Sequence, residues 1–446
     1  MERVLLLLGT LLCVSGCALQ ADTTTNDDLF SLEQLTAYAT YNRSDLEAID
    51  AKLRGLEQDE WIAWSGYMPQ IKVSGIFQSS RDYLYPTKQG RVLASQVIFN
   101  AAGPQLEYDR VMAQEKITIL QRSRFHDEIV RNTRGTYLDY CNQLFGDPYQ
   151  LALAKTGTAE FRRAERENRV GTLSDLDLER ARKDLQDILT EVAIFAEDTD
   201  KKKESLETTV EKDVKKLRRP SLDLLLAKSF QTAQTASLDE YLAEAKNNRP
   251  EFPIFDQEIE LADIDFRQAA FSYMPTLSLN VGLYKDHYNR PVLDVGYYSY
   301  PWVVGLEMDW TFDGFANVAR ARKARAHRLE KVLSKKRAEF TIALEVKTAF
   351  HDFKNQVETL RKQVVTLGEA RKEFLRQKKA YAVGLISRIE FVRAQSDWKK
   401  REYALAQAAN YAAWLYEQLL FQAGSPRNRT SLILDASLPK KGNSSP

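Results

Sequence analysis

Glycine and proline are scarce, 19 and 13 in 446 residues, so the chain has few breakers and room for long uninterrupted helices. A surplus of one charge is also missing. With 63 basic and 62 acidic residues the formal net charge is +1, which argues against nucleic acid as a partner. Only three cysteines occur, Cys13, Cys17 and Cys141, too few for a disulfide framework. The histidines His126, His287, His327 and His351 stand alone, Cys141 has no neighbouring base or second ligand, and the five methionines do not cluster. No phosphate-binding loop is present either. These gaps leave no basis for enzymatic chemistry, a cofactor or a metal site. Finally, no segment after the leader has the length and apolarity of a membrane helix, so any crossing of a bilayer falls to strands.

The leader opens with Met1-Glu2-Arg3 and continues as an apolar core from Val4 to Cys13, the length of a signal peptide. It ends in Val14-Ser15-Gly16-Cys17, which resembles a bacterial lipobox. That resemblance implies cleavage before Cys17, acylation of its thiol and an acylated linker over 17–30. Ala18, rather than aspartate, follows the cysteine, which by the same resemblance implies delivery to the outer membrane. The alternative is an ordinary signal peptide cut near Ala18 to Ala21, with Cys17 discarded. Residues 22 to 30 are polar, and disorder is expected there.

What is present is a duplication. Ser31-Leu32-Glu33-Gln34 opens a helix with a capping-box pattern, and Ser237-Leu238-Asp239-Glu240 opens another. The same offset relates Asn42-Arg43 to Asn248-Arg249 and Tyr67-Met68-Pro69 to Tyr273-Met274-Pro275. After each Met-Pro the period becomes alternating. Ile71, Val73 and Phe77 oppose Lys72, Ser74 and Gln78; Leu277, Leu279, Val281 and Leu283 oppose Ser278 and Asn280. Return strands are expected from about Arg91 to Phe99 and from Trp302 to Phe312, with Tyr297, Tyr298, Tyr300 and Trp302 near one end as an interfacial girdle. By themselves the four strands also fit a small soluble sheet with one solvated face.

Long helical stretches follow, from about Leu106 to Asn168 and from about Asn317 to Ala382. Gly146-Asp147-Pro148 predicts a kink or break in the first. Val170-Gly171-Thr172 and Val383-Gly384-Leu385 then reverse the chain, and returning helices are expected from Ser174 to about Leu217 and from Ser387 to Leu420. Pairing of these helices is expected along narrow seams such as Ala394, Ala404, Ala408 and Ala412. If the four strands span a membrane, they leave two edges whose bare backbone cannot stay in hydrocarbon, so several copies must pool their strands.

In this order and duplication, Ser31-Leu32-Glu33, Tyr67-Met68-Pro69, Ser95 to Asn100, Trp310 to Gly314 and the two Val-Gly tips resemble the TolC family of outer-membrane efflux proteins. The resemblance implies an α+β membrane protein. Long antiparallel helical hairpins form a helical barrel, and four transmembrane β-strands per chain give a trimeric 12-stranded β-barrel. The expected boundaries are a signal peptide over 1–16, the linker over 17–30, a first repeat over 31–236, a second over 237–424 and a polar tail over 425–446. The implied partners are two further copies in a homotrimer, a periplasmic adaptor (membrane fusion) protein, an inner-membrane transporter and outer-membrane lipid. The implied role is a passive exit duct in the outer membrane of a Gram-negative bacterium, lipid-anchored and reaching into the periplasm. Drug efflux and type I protein secretion both remain open. The rival from another class is a lipid-anchored periplasmic coiled-coil scaffold without channel activity.

The resemblance also implies site residues. Asp177 and Glu390, six residues after the tip glycines, match a ring of acidic side chains that closes the periplasmic end. Their spacing from Ser174 and Ser387 equally fits helix caps, and one residue can serve both ends. The family's second acidic position is Arg393 here, matched by Arg180, a departure that puts cation selectivity in doubt. Arg393 is expected to pair with Glu390 on its own helix. Val170, Gly171, Thr172, Val383, Gly384 and Leu385 are the implied adaptor contacts. The plain alternative is helix reversal, which asks only for glycine.

Overall fold

The computed structural model describes residues 29–78, 87–287, 302–311 and 313–425. The leader, Cys17, Tyr297, Tyr298, Tyr300, Phe312 and the tail beyond Ser425 lie outside them. In chain order the elements are β1 (Leu29–Phe30), α1 (Leu32–Asn42), α2 (Ser44–Ser65), β2 (Gln70–Gln78), β3 (Thr87–Phe99), α3 (Pro104–Arg169) and α4 (Asp175–Val210). A connector carries β4 (Lys216–Leu217) and α5 (Leu222–Thr235). The order then runs again as α6 (Leu238–Asn248), α7 (Glu251–Phe271), β5 (Thr276–His287), β6 (Trp302–Asp309), α8 (Ala316–Ala382) and α9 (Arg388–Gln422).

Several sequence expectations need correcting. Leu29 and Phe30 are ordered in a parallel pair with Lys216 and Leu217. The capping box forms at Ser31 with Gln34, whereas Ser237 makes no side-chain cap. Helix α4 stops at Val210, seven residues early. Glu211 there takes a left-handed conformation (φ 55°), and its carboxylate accepts from the Ser44 hydroxyl at 2.9 Å. Strand β6 ends at Asp309 because Trp310 leaves the ladder, its indole N–H donating to the Tyr273 carbonyl at 2.9 Å. Ser425 is no loose tail residue: it is buried, and its hydroxyl donates to Glu244 at 2.7 Å.

The expected break in the first long helix does not occur, since α3 runs through Pro148 over 66 residues. Proline removes the N–H that would bond the Leu144 carbonyl. Arg219, from the connector, supplies the missing donor at 2.8 Å. At ~1.5 Å per residue, α3 and the 67-residue α8 each extend about 100 Å.

Four strands form one antiparallel sheet in the order β2-β3-β5-β6. The hairpin of each half-chain meets the other at β3–β5. Register places Ile71, Ala94, Val281 and Val304 in one row and Val73, Val92, Leu283 and Trp302 in another, all on one face. A shift between Val97 and Phe99 brings Phe99 opposite Leu277, back onto that face. This face is bare: Ile71, Val73, Leu306 and Met308 are 67 to 74% exposed. The other face carries Lys72, Arg91, Asn280, Glu307 and Asp309, with Ser278 only 8% exposed. Among the described residues no helix is long and apolar enough to cross a membrane.

The main core lies away from both the sheet and the tips. Leu32, Leu35, Tyr137, Leu138, Cys141, Leu206, Val210, Leu225, Tyr241, Phe353, Tyr416 and Leu419 bury one another where the short helices wrap the long ones. Burial of this apolar surface is what fixes the middle of the long helices, which have too little amphipathic character to define a core along their full length.

Candidate functional site

Both hairpins end in the same turn. Gly171 (φ 77°) and Gly384 (φ 75°) occupy the left-handed region, which costs a residue with a Cβ about 1 kcal/mol or more. Thr172 N–H returns to the Glu167 carbonyl and Leu385 N–H to that of Ala380, each at 2.9 Å, closing Schellman turns. Val170, Val383 and Leu385 project 71 to 78% exposed, so the three apolar tip residues are free of contacts within the chain that would bury them.

Just above each turn the sequence-derived carboxylates act as caps. The Ser174 hydroxyl accepts from the Asp177 N–H at 3.1 Å, and the pair is joined again at 2.7 Å between hydroxyl and carboxylate. At the second tip the box is reciprocal: Ser387 N–H donates to the Glu390 carboxylate at 2.8 Å, and Glu390 N–H to the Ser387 hydroxyl at 3.3 Å. The Ser387 backbone N–H and hydroxyl, with Arg163 and Arg393 nearby, hold the Glu390 carboxyl below the usual glutamate range.

Arg180 pairs with Asp177 on its own helix at 2.9 Å. Arg393 does not do the same with Glu390, contrary to expectation. The Ser387 N–H already occupies one side of that carboxylate, and Arg393 reaches across to Glu160 on α3. Glu160 and Arg163 are therefore tip residues that the motif reading missed.

The two hairpins meet along α3 and α9, which run antiparallel. Tyr403, Asn410 and Glu417 recur at seven-residue steps on α9, the spacing of a coiled-coil seam. Glu417 forms a buried pair with Arg134 at 2.5 Å (2% and 8% side-chain exposure). Asn410 donates to Asn142 at 2.6 Å, and Tyr403 stacks on Tyr149 at 6.1 Å. Towards the tip the seam thins to a 3.4 Å contact from the Thr156 hydroxyl to the Val392 carbonyl and the Arg393–Glu160 pair. Of the expected small-residue seam, Ala408 and Ala412 are buried, and Ala394 and Ala404 are half-buried.

Inside the second hairpin an aromatic ladder replaces the small residues. Tyr381 stacks on Phe391 at 4.8 Å, Phe391 on Phe374 at 5.9 Å and Phe374 on Trp398 at 4.8 Å. Each helix supplies two rings seven residues apart, a spacing visible in the sequence but not exploited there. A groove of about 750 Å³ lies along this ladder, lined by Glu373, Phe374, Gln377, Arg393, Asp397 and Trp398 among others.

Cys141 is fully buried, and burial pushes its thiol up to about 12, which makes it a packing residue. Among the described residues no three or more His, Cys, Asp or Glu side chains gather as a metal site would require.

Residues 241–425 match the family model described as outer membrane efflux protein. No curated protein matches the sequence. Solved structures do resemble the fold at low identity. The Campylobacter jejuni CmeC outer membrane channel aligns at 13% identity over 92% of this chain and 90% of its own, with a TM-score of 0.68. The Vibrio cholerae outer membrane protein VceC aligns at 13% over 88% and 96%, TM-score 0.65. The open state of the Neisseria gonorrhoeae MtrE outer membrane channel aligns at 13% over 89% of both chains, TM-score 0.63. Residues 241–425 are thus similar to the outer membrane efflux protein family, and the chain as a whole shares its fold with solved outer membrane channels.

Proposed function

We propose that the chain is one third of a homotrimeric exit duct of the outer membrane, passively conducting cargo handed over by an inner-membrane transporter and a periplasmic adaptor. The observation that carries this reading is the sheet. Its apolar face is left uncovered by the chain, its other face is polar, and β2 and β6 are bare edges. Such a surface is tolerable in lipid and costly in water, while bare edges are tolerable in neither. The chain also contains a template for closing them. At β3–β5 the second strand of one half pairs antiparallel with the first strand of the other. A β6 edge meeting the β2 edge of a neighbouring copy repeats that junction, and three copies close twelve strands, within the range of outer-membrane barrels.

A stripe on α8 supports the same partner. Leu329, Leu333, Phe340 and Leu344 are 55 to 79% exposed at helical spacing. Lys331 and Lys335, on the opposite side, reach the carboxylates of α7. A second copy is the occupant that fits an apolar stripe flanking a helical wall.

In this reading Val170, Gly171, Thr172, Val383, Gly384 and Leu385 meet the adaptor, and Asp177 and Glu390 ring the periplasmic opening. Arg180 and Arg393 offset much of that ring's charge, so cation selectivity is weaker than an all-acidic ring would give. Acylated Cys17 anchors the chain to the outer membrane, and the transporter, not the duct, selects between small molecules and proteins. The test is reconstitution of the purified full chain in planar bilayers. A heat-modifiable trimer with ion conductance is expected; a monomer with no conductance rejects the duct.

A further inference from the structure

We infer that copies of this chain select one another through a charged helix junction, in which α2 of one copy seats antiparallel on α8 of the next, with Asp59 against Lys323 and Asp45 against Arg337. The inference rests on the homotrimer reading and adds to it the surface by which a copy admits only its own kind.

The internal duplication shows what such a junction looks like. Four helices stand in a row, α2 packed on α3, α3 on α7 and α7 on α8, so α2 and α8 are the two ends of the row. The middle contact, α3 on α7, joins the two half-chains. Arg110 pairs there with Asp265, and fourteen residues further along α3 Arg124 approaches Glu251, fourteen residues back on α7, at 3.6 Å. The two helices are therefore antiparallel, and Leu106, Ala113, Leu261 and Ile264 pack between them. Copies that close a ring must make one more junction of this kind, from the α8 end of one row to the α2 end of the next.

The charges for it are in place. The offset that carries Tyr67 to Tyr273 turns α2 into α7, and the offset that carries Gly171 to Gly384 turns α3 into α8. Under these offsets Arg110 becomes Lys323 and Arg124 becomes Arg337, while Asp265 answers to Asp59 and Glu251 to Asp45. All four positions keep the sign of their charge. Yet Asp59, Lys323 and Arg337 are exposed and have no ion pair among the described residues, and Asp45 meets only its neighbour Arg43. A pattern that the middle of the row uses is thus repeated, unspent, at both ends.

The two ends also match in shape. The exposed Leu329 and Leu333 lie on the side of α8 turned away from the lysines that reach α7. In the register set by the two ion pairs they fall opposite the exposed Ala48, Ala51 and Gly55, and a Cβ on Gly55 would meet nothing within 4 Å. Large side chains on one helix thus enter a notch left by small ones on the other.

The junctions differ in what surrounds the first ion pair. Leu106, Leu261 and Ile264 of the inner one are replaced at the outer one by Ala319, Gly55 and Gln58. The inner junction joins parts of one chain and has nothing to choose. The outer one has little apolar surface beside Lys323 and Asp59 to hold an arbitrary neighbour, so its choice turns on charge. A chain with a basic α2 or an acidic α8 is repelled.

The experiment uses full-length chains with two different tags, one unaltered and one carrying Asp59→Lys with Lys323→Asp, expressed together, purified through one tag and probed for the other. Either reversal alone should lower the yield of trimer about tenfold, and the two together should restore it. Mixed trimers of the unaltered and doubly reversed chains should fall about tenfold below the chance level. Independently, oxidation of Gln58→Cys with Ala326→Cys, the counterparts of Ile264 and Ala113, should link copies into a covalent trimer. Gln58→Cys with Lys331→Cys, whose second site faces α7, should not. Mixing at the chance level in a trimer that conducts, or no cross-link at 58 and 326, overturns the junction and leaves the duct reading standing. So does a Lys323→Asp chain that mixes at chance but loses binding to phosphatidylglycerol vesicles, because the cation then serves lipid. An unaltered protein that is a monomer fells the duct reading and the junction together.

Discussion

The two hairpins are nearly equal in length and turn on glycines whose φ angles differ by only a few degrees, yet different chemistry holds each together. In the first, α3 and α4 pack through absent side chains: Gly146 admits Phe195, and Gly157 admits Ile188. Its tip is stitched by the Asn168 amide, which donates to the Leu173 carbonyl and the Asp175 carboxylate, and by Thr172 to the Glu167 carbonyl. In the second, α8 and α9 are spaced by four stacked rings and started by a complete capping box. Duplication preserved the turn, because a left-handed residue has few alternatives, and let the walls diverge, because helix pairs can be spaced in many ways.

Breaking what joins the hairpins should have the largest effect. Glu417→Ala leaves Arg134 charged and buried, and a loss of about 4 kcal/mol is expected in chemical denaturation. Replacing both, Arg134→Met with Glu417→Leu, should recover most of that loss; a double variant as unstable as the single one would show that the pair is not the source. Next, Trp398→Ala removes the end of the ladder and should loosen the second hairpin by about 3 kcal/mol. Amide exchange near Leu385 should accelerate while exchange near Thr172 stays unchanged. If both tips accelerate together, the hairpins are not independent and the contrast fails.

Smaller effects test the shared part. Gly171→Ala and Gly384→Ala should cost about 1 kcal/mol each, and equally, since the turns are alike. Unequal protease nicking at the two turns would show that the walls reach down into them. Smallest is the cap at Ser387, where Ser387→Ala should cost about 1 kcal/mol or less. Its pH dependence follows in sign from the lowered Glu390 carboxyl. The capped form is favoured while Glu390 is ionised, so protection is complete above the ordinary glutamate value. It is lost as pH falls below the ordinary glutamate range and through the lowered value. In Ser387→Ala that acid-induced rise in exchange near Leu385 should shrink without vanishing, because the backbone N–H at 387 still donates to Glu390.

The turns, the caps and the alternation of strand faces were legible in the sequence because each depends on residues within about six positions of one another. Gly171, Gly384, Ser387 with Glu390, and the Leu277 to Leu283 face are of this local kind. The partners of Arg393 and Glu417 were not legible. A guanidinium chooses among carboxylates by a register between helices more than two hundred residues apart, which no local pattern encodes. Pro148 shows the same limit from the other side. Its penalty is local and readable, but the arginine that offsets it sits in a connector with no motif of its own, so a kink or a break was the local answer. The four rings of the second hairpin were readable in principle, since both pairs repeat at seven.

The β3–β5 junction carries one more consequence. Because each half-chain supplies two neighbouring strands and offers the same kind of edge on either side, six polypeptides of half this size would wall the cylinder proposed for three full chains. Fusion of two such subunits fixes their neighbours by covalent linkage and frees the two copies to drift apart, which lets one hairpin acquire a proline and the other a stack of rings.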